Sequence, residues 1–172
     1  MSKRGKEWRF DPPAYPSWGG IFEAVVKVAK THLRRVIGET VLTFEELATV
    51  FCKIEAVLNS RPLCPVSSDP NDLEVLTPGH FLIGGPLTAL PEYPFTETPL
   101  NRLTRFELLQ QLSQSFWWRF SLEYLHLLQQ RVKWCDKTDP PKVGDLVLVK
   151  ETNMPTLSWR RGRILRLIVG AD

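Results

Sequence analysis

Sulfur and imidazole are scarce in this chain, with three cysteines, three histidines and two methionines among 172 residues. Cys52, Cys64 and Cys135 are odd in number and scattered, and His32, His80 and His126 stand at no spacing that pairs with them as metal ligands. Neither a disulfide framework nor a zinc site is expected. Long apolar runs are also missing: no stretch approaches the roughly 18 unbroken apolar residues of a membrane span. The basic N-terminus runs into Trp8 and Pro12 instead of the apolar core of a secretory signal. No membrane partner is expected, and the default location is intracellular. What the chain does have is 43% hydrophobic and 24% charged residues, enough for one core or two small ones, which excludes a disordered chain.

The net charge of +3 conceals a division along the chain. Residues 1–35 hold eight Lys/Arg against three Asp/Glu, whereas residues 36–100 hold two against nine. Residues 101–141 hold six against four, and residues 142–172 six against three. The ends are basic and the middle is acidic. Clustered cations neutralise phosphates, so the first helical segment with its leader and the C-terminal segment are the candidate nucleic-acid surfaces.

The sharpest pattern is in the first helical segment. At 100° per residue, Glu23, Lys27, Lys30 and Arg34 fall within about 60° of arc, opposite Phe22, Val25, Val26, Ala29, Leu33 and Val36. One carboxylate heads a rail of three cations, an arrangement that suits a hard metal ion at the carboxylate and a phosphodiester backbone along the rail. The plainer alternative is a solvated helix face with a Glu-to-Lys pair four residues apart.

Before that helix stands Trp8-Arg9-Phe10-Asp11-Pro12-Pro13-Ala14-Tyr15-Pro16-Ser17-Trp18-Gly19-Gly20. Its prolines exclude regular structure, and the Gly pair lets the backbone approach a ligand closely. Together with Gly19-Gly20-Ile21-Phe22-Glu23, this segment resembles the integrase of LTR retrotransposons of the BEL/Pao type, in which such a loop precedes the last catalytic glutamate. The resemblance continues through Leu58-Asn59-Ser60-Arg61-Pro62-Leu63, Leu76-Thr77-Pro78-Gly79-His80-Phe81-Leu82-Ile83-Gly84 and Val143-Gly144-Asp145-Leu146-Val147-Leu148-Val149-Lys150, with Trp159 and Gly162-Arg163. It implies Glu23 as a catalytic and metal-binding residue, Lys27 and Lys30 as DNA contacts to which the spacing of the rail adds Arg34, DNA as partner, Mg2+ or Mn2+ as the parent enzyme's ions, and a nuclear location.

The match also has a gap. Integrase chemistry needs two aspartates upstream of the glutamate so that three carboxylates hold two metal ions at the scissile phosphate. Only Asp11 precedes Glu23 at short range, in a Pro-rich loop. The chain is therefore expected to resemble the C-terminal half of an integrase, to bind no metal stably, and to lack polynucleotidyl transfer by itself. The zinc-binding N-terminal domain of integrases is expected to be absent as well.

Further along, Thr43-Phe44-Glu45-Glu46 has the form of a capping box and opens a helix to about Leu58, with Leu47, Val50, Phe51, Ile54 and Leu58 as its apolar stripe. From Pro65 to Pro99 the chain reads as a long surface loop. Thr104-Arg105-Phe106-Glu107 opens the longest helical segment, ending near Trp134, with an apolar face of Leu108, Leu109, Leu112, Phe116, Phe120, Leu127 and Leu128 thickened by Trp117, Trp118 and Tyr124. Such a face calls for a partner, a second subunit or protein core. Stacking of Trp117 or Trp118 on bases is the alternative. After Pro141, Lys142–Lys150 and Arg160–Val169 read as two strands, which the resemblance makes the start of an SH3-like barrel, with Arg160, Arg161, Arg163 and Arg166 facing DNA.

The fold class expected is α+β. Its units are residues 1–63 as the last helices of a truncated RNase H-like core, 64–100 as a Pro-rich surface loop, 101–138 as a linking helix and 139–172 as a partial barrel. The expected function is nucleic-acid binding by a retrotransposon-derived integrase fragment. The competing expectation is a protein-interaction module that docks through the 104–134 helix.

Overall fold

The computed structural model describes residues 20–129, 140–151 and 154–168, with side chains from Glu23 onward. Among these residues the fold is mixed: four α-helices and two small antiparallel sheets. Helix α1 spans Gly20–Ile37, α2 Phe44–Asn59, α3 Pro78–Ile83 and α4 Arg105–Gln129. Strands β1 (Cys64–Pro65) and β2 (Val75–Leu76) pair with Cys64 opposite Leu76. Strands β3 (Leu146–Leu148) and β4 (Arg161–Arg163) pair with Val147 opposite Gly162.

Local chemistry sets the helix ends. Gly38 takes φ +54° just past α1, a left-handed conformation that glycine adopts without steric cost. Thr43 then caps α2: its backbone N–H donates to Glu46 Oε2 at 2.8 Å, and the Glu46 N–H donates to Thr43 Oγ1 at 3.3 Å. At the far end the Ser60 hydroxyl donates to the Val57 carbonyl and Pro62 follows, so the helix stops where its carbonyls find other donors. The same box recurs at α4, where Thr104 N–H donates to Glu107 Oε2 at 2.8 Å. Both boxes sit where the sequence places them.

The core lies between α2 and α4. Val50, Ile54 and Val57 of α2 meet Leu108, Leu112, Phe116, Trp117 and Phe120 of α4, and Val28, Ala29, Leu33 and Val36 of α1 pack against that cluster. Phe116, Val50 and Val57 are completely buried. Each such side chain contributes roughly 1.5–3 kcal/mol through apolar surface removed from water. The broad apolar face of the long helix thus finds its cover inside its own chain: α1 on one flank, α2 on another, and Leu157 and Trp159 from the C-terminal segment.

Three expectations need correction. The stretch from Pro65 to Pro99 is not uniformly loop, because β1 and β2 close a short hairpin and Pro78–Ile83 forms a helix whose first turn is fixed by Thr77 and His80 (Thr77 N–H to His80 Nδ1, 3.1 Å). The C-terminal strands are shorter than expected. Backbone bonds extend the pairing a little past each end, with Val149 N–H on the Arg160 carbonyl at one and Ile164 N–H on that of Asp145 and Gly144 N–H on that of Ile164 at the other, and Leu165 and Ile168 are then mostly exposed. No barrel closes among the described residues, since each sheet has two strands. On α1, Val26 is half-exposed while Val28 and His32 face the core. The helix thus sits rotated toward Val28 relative to the expected apolar arc. The proposed ends of the long helix at Trp134 and of the linking unit at 138 lie outside the described residues.

One ion pair ties the α1–α2 connection to the start of α4. The Arg105 guanidinium donates to both carboxylate oxygens of Glu46 and, at 3.0 Å, to the Val41 carbonyl. These Arg105 hydrogen bonds, with the Thr43 backbone N–H second, hold the Glu46 carboxyl well below its ordinary value of 4.5, at about 2. The Glu107 carboxyl is lowered in the same sense by the Thr104 backbone N–H. A carboxyl depressed on folding adds stability above its unfolded pKa and loses it as pH falls toward the folded one. Urea midpoints should therefore decline between pH 4.5 and about 2, and Glu46→Gln should flatten part of that decline; an unchanged profile in the variant would show that this pair is not its source.

Candidate nucleic-acid interface

Helix α1 lies against α4 and runs antiparallel to it. His32 sits edge-on to Phe116, with ring centroids 5.9 Å apart, and the connection that follows α1 is bonded by Arg105 at the start of α4. That packing decides which side of α1 meets solvent. Glu23, Lys27, Lys30 and Arg34 are all exposed, on the side turned away from the core. The rail forms as the spacing requires. The ion pairs among the described residues join His32 to Glu123, Lys53 to Glu92, Arg105 to Glu46 and Arg160 to Glu151. None involves the rail, so among the described residues the Glu23–Lys27 pair does not form and the three cations remain open to an external anion.

His32 is the feature of α1 that the motif reading overlooked. It is 3% exposed, and its Nε2 lies 2.6 Å from Glu123 Oε2. The signal was available: on the wheel that defines the rail, His32 falls opposite Glu23, between Val25 and Val28. A polar ring at the centre of an apolar arc implies a polar neighbour across the interface, and α4 supplies Glu123.

The C-terminal arginines divide by what they touch. Arg161 and Arg166 are exposed. Arg160 is exposed and lies 3.4 Å from Glu151 through Nε. Arg163 does something else. Its Nη1 donates to the Gly144 carbonyl at 2.8 Å, and its Nη2 donates to the carbonyls of Asp69 and Asp72 at 2.7 Å each and to that of Ser67 at 3.4 Å. The two terminal nitrogens of the guanidinium are engaged by backbone oxygens of the chain itself, which sets Arg163 apart from the exposed arginines. It clasps the turn at 67–72 to the turn before β3. Gly144 makes that turn at φ +93°.

Trp117 packs in the core, as its place on the apolar face of α4 implies. Its ring is 5% exposed, its Nε1 donates to the Met154 carbonyl at 3.2 Å, and it meets Trp159 edge-on at 4.8 Å. Stacking on a base is closed to it. Trp118, half-exposed, keeps one face open. Trp159 also donates to Ser60 Oγ, and the Tyr124 hydroxyl donates to the Pro62 carbonyl at 2.6 Å, with burial pushing its pKa up. These bonds fasten the C-terminal segment and the end of α2 to α4.

Among the described residues no three His, Cys, Asp or Glu side chains come together as ligands. The described residues around Glu23 therefore do not make up a two-metal centre, and no chemical step is derived from one. Cys52 and Cys64 are free and exposed, while Cys135 lies outside the described residues. No described helix is long and apolar enough to cross a membrane.

Residues 104–172 match the model of a family of unknown function, DUF5641. The match begins at the capping box of α4 and takes in Arg163 and the C-terminal hairpin, leaving the 67–72 turn and α1 with its rail outside it. No curated protein and no solved structure matches the chain.

Arg163→Ala should leave three carbonyls of the 67–72 turn without their charged donor, lowering unfolding free energy by about 1.5–3 kcal/mol in urea titration. Because its donors face inward, DNA affinity of the folded variant should stay within twofold of the parent.

Proposed function

We propose that this chain binds DNA through the solvent face of α1 and belongs to the integrase machinery of a BEL/Pao-type retroelement, as a part that does not catalyse strand transfer alone. The observation that carries this reading is the placement of Lys27, Lys30 and Arg34 together on an exposed face, outside every ion pair among the described residues, while the opposite face is anchored on α4. Cations held on a rigid element and left uncompensated are the ordinary means of gripping a phosphodiester backbone, and they grip without reading sequence. In this reading Arg160, Arg161 and Arg166 form a second, smaller contact. Glu23 retains the place of the last carboxylate of an RNase H-like centre whose aspartates, with Mg2+ or Mn2+, would have to come from elsewhere, and the working location is the nucleus.

The alternative, a protein-interaction module docking through the 104–134 segment, is supported less well. The apolar side of α4 is largely occupied by α1, α2 and Trp159.

Lys27→Glu combined with Lys30→Glu should weaken binding to a duplex by at least tenfold in filter-binding titrations while leaving the thermal midpoint unchanged, because both side chains stand in solvent. The parent's affinity should fall steeply between low and physiological salt, and the variant's slope should be shallower by about two phosphates. Equal affinities and equal slopes would remove the rail from any role in binding.

A further inference from the structure

Contact between α1 and α4 divides the surface of each helix into two flanks. His32 marks the centre of that contact on α1, and Phe116 and Glu123, two turns apart, mark it on α4. On one flank Ala29, Leu33 and Val36 of α1 and Phe120 of α4 join the core cluster shared with α2. The other flank carries Thr31 and Arg35 on α1 and Arg119 on α4, all exposed. At 100° per residue Arg35 stands about 60° from His32, and Arg119 about 50° from the line through Phe116 and Glu123, each on the side away from Leu33 and Phe120. Because the helices are antiparallel, these rotations bring both arginines to the same side of the seam. Their heights agree as well: Arg35 is three residues past His32, Arg119 is midway between Phe116 and Glu123, and the two lie within about one helical turn along the axis.

Like charges set side by side repel unless a carboxylate or an external anion stands near them. Neither arginine has a carboxylate. The acid one turn from Arg119 is Glu123, its usual helical partner, but the Glu123 Oε2 lies 2.6 Å from His32 Nε2. The buried imidazole holds inward the group that would compensate Arg119. Glu39, four residues past Arg35, comes after Gly38, whose φ of +54° follows the end of α1, so helical spacing no longer sets it beside Arg35. Among the described residues neither arginine enters an ion pair or a side-chain hydrogen bond. The seam also adjoins the rail. Lys27, Thr31 and Arg35 follow one another at four-residue steps along one edge of α1, so Lys27 belongs to both rows.

Resting on the DNA binding proposed for α1, we infer that Arg35 and Arg119 form a second contact to the phosphodiester backbone, and that a duplex held on the rail also covers the α1–α4 seam. Filter binding with Arg35→Gln and Arg119→Gln tests this. Each change should weaken duplex binding about threefold and the pair about tenfold, and the salt dependence of the pair should report about two fewer phosphates than the parent's. Both side chains stand in solvent, so the thermal midpoints should hold. Arg102→Gln removes an exposed arginine from the Trp118 side of α4 and should leave affinity within twofold. An equal loss there would reduce the effect to net charge and overturn the seam contact. Parent-like binding by the Arg35 and Arg119 variants, alongside a loss in Lys27→Glu with Lys30→Glu, would also overturn it while the rail stands; parent-like binding by both sets would remove the rail too. Arg119→Gln decides alone if the Arg35 variant misfolds, since it leaves α1 unchanged.

Discussion

Burial of one side of α4 is the constraint from which the rest follows. A 25-residue helix carrying Leu108, Leu112, Phe116, Trp117 and Phe120 along one side is not stable in water without cover, and each element of the fold supplies part of that cover. Helix α2 contributes Val50, Ile54 and Val57, α1 contributes Val28, Ala29, Leu33 and Val36, and the C-terminal segment contributes Trp159. The orientation of α1 is a consequence. With its Val28–His32–Val36 side committed to α4, the Glu23–Lys27–Lys30–Arg34 side has only solvent to face. The rail is therefore positioned by an apolar contact on the opposite side of the same helix, and its rigidity is that of the core.

Aromatic side chains extend that core to the C-terminal hairpin. Two antiparallel strands of three residues would be marginal alone. Here they are attached at two points that involve no strand pairing: Trp159 wedged among Trp117, Phe120 and Tyr124, and Arg163 holding three carbonyls of the 67–72 turn. Leu157, at φ +66°, takes a conformation that costs a non-glycine residue of order 1–2 kcal/mol. It packs on the core cluster, and that burial offsets the strain while it turns the chain so that Trp159 enters. The hairpin persists because the helices hold it, which is why it needs no closed barrel.

Capping and periodicity made the helices legible in advance, and side-chain destinations much less so. Thr43 with Glu46 and Thr104 with Glu107 are local signals, decided within four residues, and both boxes form. The rail is likewise a property of one helix. The 64–83 hairpin and short helix escaped because two-residue strands carry no readable alternation, and α3 depends on a histidine at the third position where a capping box usually holds Glu or Gln. The rotation of α1 toward Val28 escaped because it depends on where Phe116 and Glu123 stand, 84 and 91 positions away from His32 in the sequence.

Arg163 shows most plainly what charge patterning conveys. Four arginines at 160, 161, 163 and 166 look equivalent in the sequence, and counting them gives a basic tail. The register of β3 and β4 separates them: Leu146 opposite Arg163 places the latter beside Gly144, whose carbonyl it takes, and the 67–72 turn supplies the remaining acceptors. A guanidinium offers five donors in a planar fork, so it can satisfy several carbonyls that a lysine could not reach together. Lys27, Lys30 and Arg34 differ in having no acceptor within their own chain among the described residues. Net charge measures attraction to a polyanion only after such internally committed cations are subtracted, and in this molecule the subtraction shifts the weight of any phosphate contact from the C-terminal hairpin to α1.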